Sequence, residues 1–193
     1  MQNRITRPHL NNFFVLFVAI VSPTFLSGCV VSFTNPLPST QPTRVDERLL
    51  GEWEGKDEAG TQTWVRITKA SGHEMDVSLR GFPDFENTKL RVLTTSISGS
   101  DYMIIRVGDP DRRKDYMIAK YTLGDDKLTV CMLNAQKIKE AIKKRTLKGN
   151  VGDAQWGGAV ITESSNHIVK FLTSPNTKDL FACLPELKKA SAK

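Results

Sequence analysis

The sequence predicts an α+β protein that is mainly β: an antiparallel meander curled into a small barrel or a strongly bent sheet, with two C-terminal helices packed on it. Apolar and polar residues alternate in six consecutive runs, and short segments containing Gly, Asp or Ser separate those runs. The last third of the chain changes to a helical period. A row of strands has exposed edges unless the sheet closes or is covered, which favours the barrel.

The first 28 residues have the composition of an export signal. Arg4 and Arg7 make the beginning basic, and the apolar run over residues 13–21 ends before a serine and a proline. This run is much shorter than the roughly 20 residues that a membrane-spanning helix needs. We therefore expect a cleaved signal peptide over residues 1–28 and no permanent transmembrane helix there.

An aliphatic residue, two small residues and a cysteine then follow in the order Leu26-Ser27-Gly28-Cys29. This segment resembles the lipobox of bacterial lipoproteins. The resemblance implies cleavage between Gly28 and Cys29, a diacylglyceryl group on the Cys29 thiol, and a further acyl chain such as palmitate on the new amino terminus. Each buried methylene contributes about 0.8 kcal/mol and one chain anchors only marginally, so several chains make a durable membrane anchor. An ordinary cysteine behind a secretory signal is the alternative.

Val30 stands directly after the modified cysteine, where lipoproteins kept in the inner membrane of enterobacteria typically carry aspartate. Similarity to that sorting rule implies delivery to the outer membrane if the organism has two membranes. Residues 29–44 contain three prolines among Ser, Thr and Asn, which predicts an extended tether reaching up to about 45 Å. Residues 45–193 have the size of a single globular domain.

Alternation of apolar and polar side chains predicts the strands. In the second of them, Met75, Val77 and Leu79 face the core while the residues between them face water. The expected strands cover residues 63–69, 74–80, 89–97, 102–107, 116–123 and 127–133, with a short one later over residues 159–162. The tetrapeptide Asp-Tyr-Met-Ile occurs at residues 101–104 and again at 115–118, and chance similarity of adjacent strands is enough to explain it.

Two late helices are predicted from apolar positions spaced three and four residues apart. Asn134 caps the first, and Gly149 ends it. Ser164 or Ser165 begins the second, and Pro175 stops it.

The domain begins with Gly51-Glu52-Trp53 ahead of the meander. This resembles the Gly-x-Trp motif of lipocalins and other calycins, in which the tryptophan closes one end of an antiparallel barrel. The resemblance implies a cup that holds a small apolar ligand, although the short early strands and the late helices depart from the family. Trp53 as a large core residue, without any ligand cavity, is the other interpretation.

Cys131 and Cys183 remain once Cys29 is assigned to the lipid. Disulfides persist in an oxidising export compartment, so a bond between these two residues is expected, with two separate buried thiols as the alternative. The alternation places Cys131 on the sheet face opposite Leu128, where a segment containing Cys183 can pack. Closing a loop of about fifty residues stabilises a fold by roughly 2 to 4 kcal/mol.

No pattern of catalytic or metal-binding residues is found. His73 and His167 have no ligand partners at metal-binding spacing, and the glycine-rich loop over residues 152–158 lacks the Gly-Lys-Ser/Thr of a phosphate loop. The basic run over residues 137–148 fits an ordinary solvated helix face better than a helix that lies on anionic lipid. We expect no cofactor, no metal and no enzymatic activity.

Two functions remain, and an envelope hydrolase is a third that requires a convergent cluster of polar residues in a cleft. The net charge of +6 is spread along the chain, which weakly favours anionic surfaces. We expect a membrane-anchored lipoprotein of the cell envelope whose non-catalytic domain binds an envelope protein or has a structural role. The alternative is a calycin-like module for a small apolar ligand, which requires an apolar cavity of about 300 Å³ or more. Nucleic acid is excluded by compartment.

Overall fold

The computed structural model describes residues 30–35, 37, 45–82, 88, 90–107, 115–152, 158–175 and 179–191. The predicted signal peptide, Cys29 and the cleavage site after Gly28 lie outside the described residues, as do residues 38–44 of the predicted tether. Among the helices of the described part, none is long and apolar enough to cross a membrane.

The described residues form strands, two α-helices and a short 3-10 helix, Glu47–Leu49. In chain order the strands are β1 (Val31–Phe33), β2 (Gly51–Lys56), β3 (Gln62–Lys69), β4 (Met75–Arg80), β5 (Leu90–Ile97), β6 (Ser100–Val107), β7 (Tyr116–Leu123), β8 (Lys127–Leu133), β9 (Gly149–Val151), β10 (Ala159–Ile161), β11 (Phe181–Cys183) and β12 (Leu187–Lys189). The helices are α1 (Ala135–Lys143) and α2 (Ser165–Leu172).

Eight of these strands form a closed antiparallel barrel. Going round the ring, β2 to β8 pair consecutively, and β12 completes the circle between β8 and β2. Leu187 pairs with Leu128 on one side of β12, and Lys188 pairs with Glu54 on the other. Closure leaves none of these eight strands as a free edge over its paired length, which is how barrels avoid edge-to-edge association.

The barrel interior is occupied by the protein's own side chains. A single cluster of buried residues takes at least one member from every barrel strand, and it includes Leu49 of the 3-10 helix. Its largest members are Trp53, Met75, Met103, Met117 and Tyr121. An eight-stranded barrel is just wide enough either to be filled by side chains or to hold one small ligand. Here the described interior side chains form one buried cluster.

A second layer covers one side of the barrel from outside. Its buried cluster contains Tyr102, Ile104 and Ile118, whose neighbours in sequence point into the barrel, together with Ile138 of α1 and Ile168 of α2. The outer strands extend the sheet in the order β7-β1-β10-β9, with β1 parallel to β10. Strands β5 to β7 therefore bury apolar residues on both faces.

The predicted class, mainly β with a closed barrel and two helices, is confirmed. The six main strands lie within two residues of their predicted ends, and Asn134 caps α1 through its side chain, which accepts from the Lys137 N–H. The first helix, however, ends at Lys143 and not near Gly149. Arg145 takes up the left-handed conformation (φ 57°) usual for a residue just after a helix, so the turn comes earlier than glycine indicated.

Residues 31–33, which composition assigned to the tether, form strand β1. Val31 and Phe33 are 5% and 1% exposed, and Leu37 is 4% exposed in the same cluster. Strand β1 lies between β7 and β10, and burial of these apolar side chains in the outer cluster stabilises it there. This part of the chain is thus an element of the fold and not a free linker.

Candidate functional site

A groove of about 410 Å³ lies on the outer face of the barrel, at the β5–β6 turn. The alternation along β6 sets its position: Met103 points into the barrel and Tyr102 points out. The groove is lined by Ile97, Ser98, Ser100, Tyr102, Lys120, Leu172, Thr173, Ser174, Pro175 and Phe181. Its walls therefore come from the consecutive strands β5, β6 and β7, and from β11 and the end of α2, which come much later in the chain.

The groove offers hydroxyl groups, two aromatic rings and one ammonium group. Lys120 supplies the positive charge, and Tyr102 and Phe181 face each other with ring centroids 6.1 Å apart. Its described lining residues include no histidine, carboxylate or thiol. Such a surface can hydrogen-bond and attract a polar or anionic group.

Tyr102 forms part of the floor of this groove. It is 3% exposed, and burial raises the pKa of its phenol despite a hydrogen bond with Ser100 that acts in the opposite direction. The residue paired with it on β5, Thr95, is buried, and its hydroxyl has no hydrogen-bond partner among the described residues. At neutral pH the tyrosine is a neutral hydrogen-bonding group in a largely apolar floor.

A disulfide between Cys131 and Cys183 attaches one wall of the groove. The two cysteines are direct cross-strand partners on β8 and β11, and Lys120 is the β7 neighbour of Cys131. Leu128 belongs to the barrel interior and Leu133 to the outer cluster, so Cys131 faces outward, on the face that the alternation assigned to it. The bond holds β11, and with it Phe181, against the barrel.

The second notable surface is where the chain enters the fold. Val30 is the first described residue, and its carbonyl accepts a hydrogen bond from the Ala159 N–H over 3.2 Å. Gly158 lies so close to Val30 that a Cβ atom there would collide with the Val30 backbone. Next to these residues, Val151 pairs with Ala159 and is 41% exposed.

The two described histidines do not meet at a common site. His73 lies in the turn before β4, and His167 lies in α2 with its Nδ1 3.6 Å from Glu163 Oε1. Burial raises the pKa of Glu163, but backbone N–H donors from Ser164 and Lys148 and the nearby charges of His167 and Lys148 lower it further than burial raises it. Among the described residues, no three His, Cys, Asp or Glu side chains converge as metal ligands.

One end of the barrel is closed by a polar cluster above Leu49. Arg48 forms a two-pronged ion pair with Asp46, at 2.8 and 2.7 Å, and the Tyr121 hydroxyl donates to the same carboxylate over 3.1 Å. The hydrogen bond from Arg48, opposed by burial, holds the pKa of Asp46 below its usual value. We interpret this arrangement as a structural cap, since the Asp46 carboxylate accepts hydrogen bonds from both Arg48 and Tyr121.

The groove was not predicted from the sequence. A signal for it exists, because the repeated Asp-Tyr-Met-Ile places apolar or aromatic side chains on both faces of β6 and β7. Strands that are apolar on both faces are covered on both sides. We could then have expected helices and short strands to cover β6 and β7, with a groove between the covering elements.

Comparison of this chain with protein-family models, with curated proteins and with solved structures finds no match.

Proposed function

We propose that the chain is a lipid-anchored protein of the bacterial cell envelope, whose non-catalytic barrel domain binds an envelope component through its outer surface. The observation that carries the proposal is the occupied barrel interior. Trp53, Met75 and Tyr121 are at most 3% exposed inside it, so the interior is core. Binding is therefore proposed on the outer surface, on the side where α1 and α2 contribute Ile138 and Ile168 to the outer buried cluster.

The groove is the surface on which this binding is proposed. Lys120 and the surrounding hydroxyl groups suit a polar or anionic segment of a partner. The half-buried Phe181 ring, which packs on buried Tyr102, provides an aromatic contact of the kind common at interface centres. Its walls are held by the disulfide and by the buried outer cluster, so it needs little ordering on binding.

Membrane attachment is proposed through the lipid on Cys29, with cleavage after Gly28 and delivery to the outer membrane in a two-membrane organism. The Cys29→Ala precursor should incorporate no labelled palmitate and should keep its signal peptide. Normal labelling and processing of that variant would overturn the anchor.

The binding role is tested by photo-crosslinking in cells. A photoreactive amino acid at Thr173, exposed at the rim of the groove, should give a defined adduct that Lys120→Glu removes. The matched control carries the same amino acid at Thr68, which is exposed on β3, four strands from β7 in either direction around the barrel. Equal adducts from both positions, or none from Thr173, would contradict binding at the groove.

Finding an apolar ligand inside the barrel would contradict this proposal. Native mass spectrometry of residues 30–193, purified from an oxidising compartment, should give the mass of the bare chain with two fewer hydrogens for the disulfide. A small molecule lost only on denaturation would favour the calycin-like alternative instead. The chain must begin at Val30, because a start at Val45 removes the core residues Val31, Phe33 and Leu37.

A further inference from the structure

We propose that the domain sits directly on the bilayer, with the Val30 end of the β1–β10–β9 sheet as its membrane-contacting surface. This inference rests on the proposed lipid on Cys29. The surface consists of the exposed residues Val151 and Gly152, which lie beside half-buried Val30 and buried Gly158. Its partner is the headgroup region of the membrane into which the acyl chains insert.

Only one peptide bond separates the proposed lipidated residue, Cys29, from the folded domain. Consecutive Cα atoms are about 3.8 Å apart, and Val30, the residue after Cys29, is already hydrogen-bonded to Ala159 and in contact with Gly158. A tether of fifteen residues would let the domain move tens of ångströms from the lipid. The single peptide bond between Cys29 and Val30 does not allow the domain to move away from the lipid in this way.

Strand β1 is held firmly in the sheet. It lies between β7 and β10, with Val31 and Phe33 buried in the outer cluster. Beyond it, the Thr34 N–H donates to the Ile161 carbonyl over 3.0 Å, and the Asn35 side chain donates to the Glu163 carbonyl over 2.9 Å. Lengthening the anchor by releasing β1 would break all of these contacts.

The surface beside Val30 carries an exposed apolar side chain. Among the described residues, β9 is the last strand of the sheet, and its Val151 is an exposed large apolar residue directly across from Ala159. An apolar side chain on an open edge strand is an association hazard in water. At a bilayer surface it can enter the interface, where apolar groups are stabilised.

Site-directed spin labelling of the mature lipoprotein tests this orientation. A cysteine introduced by Val151→Cys would be the only free thiol, since Cys29 is alkylated and Cys131 and Cys183 are bonded to each other. In vesicles of phosphatidylethanolamine and phosphatidylglycerol, the nitroxide at 151 should collide several-fold less often with a water-soluble paramagnetic complex than one at Thr68→Cys. Equal collision rates in a lipidated, vesicle-bound protein would overturn the inference.

A length variant makes the test specific. Inserting about twelve Gly and Ser residues between Cys29 and Val30 adds a flexible segment of about 20 Å root-mean-square length while leaving β1 in place. The label at 151 should then become as accessible as the label at 68, and continued protection would contradict attachment through β1. The intact mass and flotation with vesicles are read on the same samples. A protein without acyl mass that does not float would overturn the proposed anchor itself, a result distinct from an accessible label on a lipidated protein.

Discussion

Trp53 donates its indole N–H to the carbonyl oxygen of Leu49 over 2.8 Å, inside the barrel and with both residues at most 1% exposed. The bond ties the 3-10 helix to the first barrel strand and so closes that end of the barrel. It satisfies the one polar atom of the largest buried side chain, which would otherwise be costly to bury.

Trp53→Phe should lower the free energy of unfolding by about 1–3 kcal/mol, because it leaves the Leu49 carbonyl unpaired and removes part of a buried ring. Trp64→Phe is the matched control. Trp64 is 37% exposed and contacts Arg80 only from outside, so its replacement should change stability by about 0.5 kcal/mol or less. Chemical denaturation measures both, and equal losses would argue against the interior role of Trp53.

Phe33→Ala should cost about 3–5 kcal/mol, the range for removing a buried aromatic ring. Phe33 is 1% exposed in the outer cluster, whereas a tether residue would tolerate the change. The control is Thr34→Ala, which removes an exposed hydroxyl bonded only weakly, at 3.4 Å, to Ile161. If urea midpoints of the two variants coincide, β1 does not contribute to the core.

Gly158→Ala should lower the free energy of unfolding by about 1–3 kcal/mol, because the added methyl group forces Val30 away from β10. Gly124→Ala places its methyl group at ordinary contact distance from Lys127 and should be nearly neutral. Thermal unfolding of the two proteins compares them. A neutral Gly158→Ala would mean that Val30 can leave the sheet freely.

Removing the disulfide by Cys131→Ser with Cys183→Ser should cost about 2–4 kcal/mol. Strand β11 should loosen, and Phe181 with it, so the crosslink from Thr173 should weaken as well. Adding a reducing agent to wild type should reproduce the loss of stability, and the double variant should not respond to it. A wild-type protein indifferent to reduction would show that the bond is absent or without effect.

The lowered pKa of Asp46 in the folded state predicts a loss of stability in acid. The Arg48 hydrogen bond, partly opposed by burial, lowers the folded pKa of Asp46 below its ordinary value of 3.8, so the folded state binds fewer protons than the unfolded state. The stabilisation is therefore complete above about pH 4 and is lost as the pH falls through the lowered folded pKa. Asp46→Asn should be less stable than wild type at neutral pH, and the difference should shrink in acid. Parallel pH profiles of the two proteins would contradict this.

The strands that the sequence predicted are those with alternating apolar residues. Strand β2 was not among the predicted strands, although Gly51-Glu52-Trp53 marked the beginning of the domain. Its other positions are Glu54, Gly55 and Lys56, which are poor in strand preference. Strand β12 contains one apolar residue, Leu187, before two lysines. Both are strands because the neighbouring strands of the ring supply their pairing partners, and tertiary context of that kind is invisible to local periodicity.

The candidate site was predictable only in part. The outward direction of Cys131 follows from alternation, which is a local property. The groove is not local, because Tyr102, Lys120 and Phe181 meet only through the pairing of β6, β7, β8 and β11. The prolines around β1 similarly suggested a linker, whereas the partner strand β10 lies more than a hundred residues later in the chain.

Closure of the barrel has a consequence for folding during synthesis. Because β12 pairs with β2, the ring cannot form until nearly the whole domain has been synthesised. Until then β2 and β8 each have an unpaired side, where other chains can add. A polypeptide that ends before residue 187 would therefore keep two open edges at which it can associate with other chains.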